Sequence, residues 1–179
     1  MGIQETRTID LYTTLGQKLS LESRDKVLSY IGNDPERFKA LFDCFKNAHN
    51  RIRQNAAWAL SVCIDQYPRL IQPYLDELIL YLKIENIPDG VKRNILRILQ
   101  GVEIPKNMEG ELMNICFQIL MDKREAVAIR VFSMQVLANL SQLYQDIQPE
   151  LKIIIEDELP YAQPAFLSRG QKILRNLGR

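Results

Sequence analysis

Apolar residues recur at helical spacing in Leu70, Tyr74, Leu75, Leu78 and Leu82. That spacing puts them on one side of an α-helix. Similar amphipathic stretches occupy residues 35–47, 68–83, 108–121 and 149–159. A second set of segments alternates with them: IRQNAAWAL at 52–60, VKRNILRIL at 91–99, IRVFSMQVL at 129–137 and FLSRGQKIL at 166–174. In the first three an aliphatic residue precedes a base, Arg53, Lys92 or Arg130, and a leucine follows seven residues later. In the fourth, Leu167 fills the basic slot. The closing leucines, Leu60, Leu99, Leu137 and Leu174, lie 39, 38 and 37 residues apart.

Breakers fall between the segments, at Asn33-Asp34-Pro35, Ile87-Pro88-Asp89-Gly90, Ile104-Pro105 and Pro160 to Pro164. A proline in the first helical turn costs nothing, because the N–H it lacks has no partner there. Pro73 either kinks the helix of 68–83 or marks its start. A further helix is expected over about Leu21 to Gly32, and Leu11, Leu15 and Leu19 suggest another before it. No stretch alternates as a strand would. A repeated hairpin of two helices predicts an all-α fold: an α-solenoid of about four hairpins with N-terminal capping helices. The capping helices are expected in residues 1–33. The array takes 34–179, in units of approximately 34–67, 68–104, 105–146 and 147–179, as one continuous domain.

Two of the second segments carry a pattern, Asp-x-Val-Arg-x-x-Ala-x-x-Ala-Leu, that resembles HEAT repeats. They are Asn50 to Leu60, NRIRQNAAWAL, and Asp89 to Leu99, DGVKRNILRIL. Pro68 or Pro73 matches the proline of the family's first helix. The resemblance covers about 34–178, with armadillo-type variants close to it. The tetratricopeptide repeat is shorter and its Trp-x-x-Leu-Gly signature is missing here. The resemblance implies a right-handed α–α superhelix whose second helices line a concave surface. It also implies that bases such as Arg53, Lys92 and Arg130 bond across repeats to acids or to helix-end carbonyls.

Composition narrows the function. Net charge is +1 and charged residues make up 25% of the chain, so any bias toward a polyanion must come from local clustering. Cys44, Cys63 and Cys116 are odd in number and unpaired in spacing, which predicts reduced, buried thiols in a cytoplasmic protein. The first residues lack the basic and apolar regions of a signal peptide, and no apolar run is long enough to span a membrane. Gly2 alone is a poor lipidation signal. His49 is the one histidine, and it sits in a turn. With no Gly-x-Ser-x-Gly elbow, no Gly-rich phosphate loop and no paired metal ligands, no metal or other cofactor is expected. The acids Asp76-Glu77 and Glu156-Asp157-Glu158 are consecutive, so on a helix they diverge and do not pair catalytically.

The expected role is a non-catalytic scaffold that binds another protein or a peptide. The candidate concave surface carries Arg53, Trp58, Lys92, Arg93, Arg97 and Arg130, with packing the favoured reading of Trp58. A basic stripe, Arg169, Lys172, Arg175 and Arg179, runs down the last helix opposite Leu167, Ile173, Leu174 and Leu177. Ile52, Ala56, Ala59, Leu60 and Cys63 are the expected core line of the first repeat, which also holds Trp58. The alternative is a nucleic-acid binder. A group of DNA glycosylases for alkylated bases is built from similar repeats and uses aromatic side chains and an aspartate. Trp58 and Asp65, two turns apart, are the candidates for those roles here.

Overall fold

A computed structural model describes residues 9–18 and 20–177. Among these described residues ten α-helices follow one another: α1 Leu11–Gly16, α2 Leu21–Ile31, α3 Pro35–Asn47, α4 Asn50–Gln66, α5 Leu75–Tyr81, α6 Asp89–Leu99, α7 Glu109–Met121, α8 Val127–Leu140, α9 Gln148–Glu158 and α10 Pro164–Leu174. The described residues contain no strand. The fold is all-α and of the solenoid class, built from the hairpins α3–α4, α5–α6, α7–α8 and α9–α10. The second helices α4, α6, α8 and α10 begin at residues 50, 89, 127 and 164, the period already seen in the leucines. Leu19, Gly2 and Arg179 lie outside the described residues.

Local chemistry sets the helix starts. Asp34 accepts the N–H groups of Glu36 and Arg37, and Pro35 takes the first position of α3. Ser20 and Ser23 form a reciprocal cap on α2. Each device satisfies N–H groups that a helix start leaves without partners.

The stretch 68–83 is where the periodicity overstates the helix. Pro68–Tyr74 is a 3₁₀ turn, and the α-helix starts only at Leu75. Pro73 has no N–H to return to residue 69, so the α ladder cannot run through it. Helix α5 thus begins just beyond the second proline.

The chain forms two compact units, Met1–Tyr74 and Leu75–Arg179. In the first, α4 packs on α1, α2 and α3. Its core contains Phe38, Leu41, Phe42 and Phe45 from α3, facing the line Ile52, Ala56, Ala59, Leu60 and Cys63 of α4, all buried. The two alanines of that line leave room for helices to approach closely. Tyr74 closes the unit, stacked on Phe42 with ring centroids 4.4 Å apart. Helix α1 starts one period before α4, and it takes the neighbouring position that one second helix takes beside the next. Asn55 of α4 donates to the Leu15 carbonyl of α1 at 2.7 Å.

In the second unit α8 packs against α6, α7, α9 and α10. Its sequence, VAIRVFSMQVLANL, is apolar nearly all round, as a central helix must be. Helix α10 buries Phe166, Gly170 and Ile173. A Cβ on Gly170 would sit 2.9 Å from Ile155 Cγ2 and 3.2 Å from Leu159 Cδ2. The glycine therefore sets how closely α10 approaches α9. Gly170→Val is expected to lower stability by about 1–3 kcal/mol through overpacking. Thermal unfolding checks this, and an unchanged or raised midpoint contradicts the close approach.

Candidate interaction surface on the second helices

In a hairpin the N-terminus of the second helix lies beside the C-terminus of the first. The last carbonyls of the first helix have no partners within it, and they form the negative end of its dipole. The basic position of the repeat is the fourth residue of α4, α6 and α8, Arg53, Lys92 and Arg130, and in α4 and α8 it meets that end. Arg53 donates from Nε to the Phe45 carbonyl at 3.2 Å and from Nη2 to the Lys46 carbonyl at 3.4 Å. Arg130 donates from Nε to the Leu120 carbonyl at 2.8 Å.

Lys92 does otherwise, and the turn after α5 explains it. There the N–H groups of Leu82, Lys83 and Ile84 already serve the carbonyls of Ile79, Leu80 and Tyr81. Lys92 pairs instead with Glu125, just before α8.

Arg130 is buried, at 7% exposure. Its Nη2 lies 3.1 Å from Glu158 Oε2, and its guanidinium carbon is 4.9 Å from the Phe166 ring centroid. One side chain thus joins the ends of α7 and α9 to α10. Lys123 reaches the other Glu158 oxygen at 2.9 Å. The hydrogen bond from Lys123, and then that from Arg130, holds the Glu158 carboxyl below its ordinary value, against the effect of burial.

The remaining candidates differ in exposure. Arg93 is exposed and Arg97 half-buried on α6. Trp58 is half-buried, with the Arg24 guanidinium carbon 5.8 Å from its ring centroid. Asp65 is exposed on the same helix. On α10, Lys172 and Arg175 are exposed, whereas Arg169 is half-buried and turned toward α8. His49 is exposed at the start of α4 and makes no side-chain cap. Burial pushes the Cys63 thiol up to about 12 and raises Cys116 and Cys44 as well. Thiols held neutral in this way are poor nucleophiles and poor metal ligands.

Sequence reasoning missed a row of carboxamides. Arg169 Nη1 donates to Gln135 Oε1 at 2.6 Å. Gln135 Nε2 donates to Asn139 Oδ1 at 2.7 Å. Asn139 Nδ2 donates to the Gln100 carbonyl at the end of α6, at 2.8 Å. The row starts at a group that only donates and ends at one that only accepts, so each amide has one orientation. It places three lines of residues side by side, each running into the turn that ends its helix: Arg93, Arg97 and Gln100 of α6, Gln135, Asn139 and Gln142 of α8, and Arg169, Lys172 and Asn176 of α10. None of these residues is acidic. The spacing of three and four was visible in the sequence, but glutamine and asparagine carry no charge signal to draw attention.

Charge divides between the two helix sets of this unit. Helices α5, α7 and α9 hold eight acidic residues and one lysine. Helices α6, α8 and α10 hold six bases and one acid, Asp89, which lies in the first turn of α6. Among the described residues, no group of three or more His, Cys, Asp or Glu could hold a metal, and no helix is long and apolar enough to cross a membrane.

The sequence matches a family described as a HEAT repeat domain over residues 11–177. No curated protein and no solved structure matches the chain.

Two outcomes are expected of the Arg130 cluster. Arg130→Ala removes one partner of a largely buried pair and should cost about 3 kcal/mol or more, measured by urea unfolding. A cost under about 1 kcal/mol would place the residue among ordinary surface pairs. Because the folded-state pKa of Glu158 is lowered, its stabilisation is full above the ordinary value of 4.5. It is lost as pH falls through the lowered value. A Glu158→Gln variant should show a flatter decline in stability below that pH than the parent; equal slopes contradict the pairing.

Proposed function

The chain belongs to the HEAT repeat family, and we propose that it is a non-catalytic module that binds another protein through the surface of α6, α8 and α10. HEAT repeats commonly serve as protein-interaction scaffolds, because stacked hairpins present an extended row of side chains. The observation that carries the reading is the division of charge in the second unit. Its second helices expose Arg93, Lys172 and Arg175 beside an acid-free row of carboxamides, while its first helices hold the acids. Such a surface favours an acidic partner and repels a basic one. A cytoplasmic setting belongs to this reading, supported by three cysteines that form no disulfide.

The same bases give nucleic acid as the second reading. It has less support, because the row between them is amide rather than cationic, and affinity for a phosphate backbone rises with the number of neutralising cations. Trp58 and Asp65 add little to a glycosylase reading: the tryptophan is half-buried beside Arg24.

Arg93→Glu with Arg97→Glu is the test. Proteins retained by the immobilised chain should be lost by the double variant with its folding intact by circular dichroism. A labelled mixed-sequence duplex should show no binding at low salt in fluorescence anisotropy. Retention of the same proteins by the double variant contradicts the proposed surface. Duplex binding that weakens steeply with salt replaces it with the nucleic-acid reading.

A further inference from the structure

Three clefts among the described residues of the second unit differ in their chemistry. The one bounded by α5, α6 and α7, about 470 Å³, has its charges already matched. Lys83 pairs with Glu111 at 2.8 Å, Lys92 with Glu125, and Asp122 with Arg124 at 2.8 Å. The hydrogen bond from Arg124 draws the Asp122 carboxyl down to about 2. A cleft that spends its charges internally has little left for a ligand. The second, beside Met113 and Phe117 of α7, is lined on its far side by Ile147 and Glu150. It offers an acid and no base.

The third lies between α8 and α10, with a volume of about 390 Å³. Clefts of about 300–1,000 Å³ are the usual size for a small ligand or an anchoring side chain. Its floor is apolar: Ala138 and Ile173 are buried and Leu177 half-buried. Its rim is polar, with Lys172, Gln142 and Asn176, all three exposed. Among the described residues, none of these three side chains has a hydrogen-bond or ion-pair partner. One wall is fixed by the Arg169–Gln135–Asn139 row. Neither α8 nor α10 contains an acidic residue, so the Lys172 ammonium is offered outward.

We propose that this cleft seats a short acidic peptide segment of a partner protein, with a carboxylate on Lys172 and a neighbouring aliphatic side chain on Ala138, Ile173 and Leu177. The proposal rests on the protein-binding reading above and names the partner's chemistry. Each rim carboxamide presents a donor and an acceptor, the two groups that an extended peptide backbone must satisfy when it leaves water. The apolar floor gives the adjoining side chain a surface to bury. Charge complementarity selects an acid over a base. A nucleic-acid strand would find one ammonium within the cleft itself, beside an apolar floor with no aromatic ring on which a base could stack.

The test selects peptides from a displayed random library on the immobilised chain and measures synthetic copies by fluorescence polarisation. Selected peptides should carry Asp or Glu next to Leu, Ile or Val. Their binding should fall roughly tenfold or more in Lys172→Glu, as expected for reversing a charge at a contact, and also in Asn176→Trp, which fills the cleft from an exposed position. Substituting the selected acid by Lys, or the aliphatic residue by Ser, should weaken binding to the parent chain. Peptides that bind both variants as well as the parent but lose affinity for Arg93→Glu/Arg97→Glu overturn the cleft and leave the protein-binding surface standing. Peptides indifferent to all these variants, or no enrichment, count against both. Duplex or single-stranded oligonucleotides that compete at the cleft overturn the assignment of a peptide ligand.

Discussion

The fold depends on what happens where the first helix of a hairpin ends. Its last carbonyls point along the axis with no partner, and the returning helix covers them before water can. A carbonyl buried there without a partner costs about 1–3 kcal/mol, and in two of the four hairpins the returning helix brings a donor. Arg53 brings one to Phe45 and Lys46, and Arg130 brings one to Leu120. A positive charge in the first turn of a helix opposes that helix's own dipole. Its recurrence at the fourth position is therefore explained by the neighbouring helix. Two hairpins do without it: where the turn after α5 caps its own carbonyls, the base is a lysine and it goes to Glu125, and in α10 the slot holds Leu167.

This constraint has a consequence for function. All three bases that mark the repeat are engaged within the chain, Arg130 almost wholly, Arg53 at a helix end and Lys92 with Glu125. In the proposed reading, what remains for a partner is set by positions off the repeat signature: Arg93, Lys172, Arg175 and the carboxamides between α6, α8 and α10. The repeat motif marks the fold, and the residues between its fixed positions make the surface. The division of charge between first and second helices lets a chain of net charge +1 present a basic, acid-free row.

Helix positions were largely legible in the sequence, because the apolar period and the proline punctuation are local properties. The second helices begin at intervals that repeat those of Leu60, Leu99, Leu137 and Leu174. Residues 68–74 were not legible as a 3₁₀ turn, since their apolar spacing fits a helix and only Pro73 argues otherwise. Gly170 stood unremarked in FLSRGQKIL; its importance comes from the approach of Ile155, which no one-dimensional pattern contains. The same limit applies to the surface. Basic residues could be counted along each helix, but the sequence could not say that Arg130 turns inward and Arg169 turns to Gln135. Nor could it order two carboxamides of α8 and the carbonyl at the end of α6 into one row.

The most direct measurement is an NMR titration of the nitrogen-15-labelled chain with an acidic, aliphatic-rich peptide, following the side-chain amide signals. The account predicts shifts in the carboxamides of Gln135, Asn139, Gln142 and Asn176, with backbone shifts concentrated in α6, α8 and α10. Shifts confined to α5, α7 and α9, with those carboxamides unmoved, would contradict it.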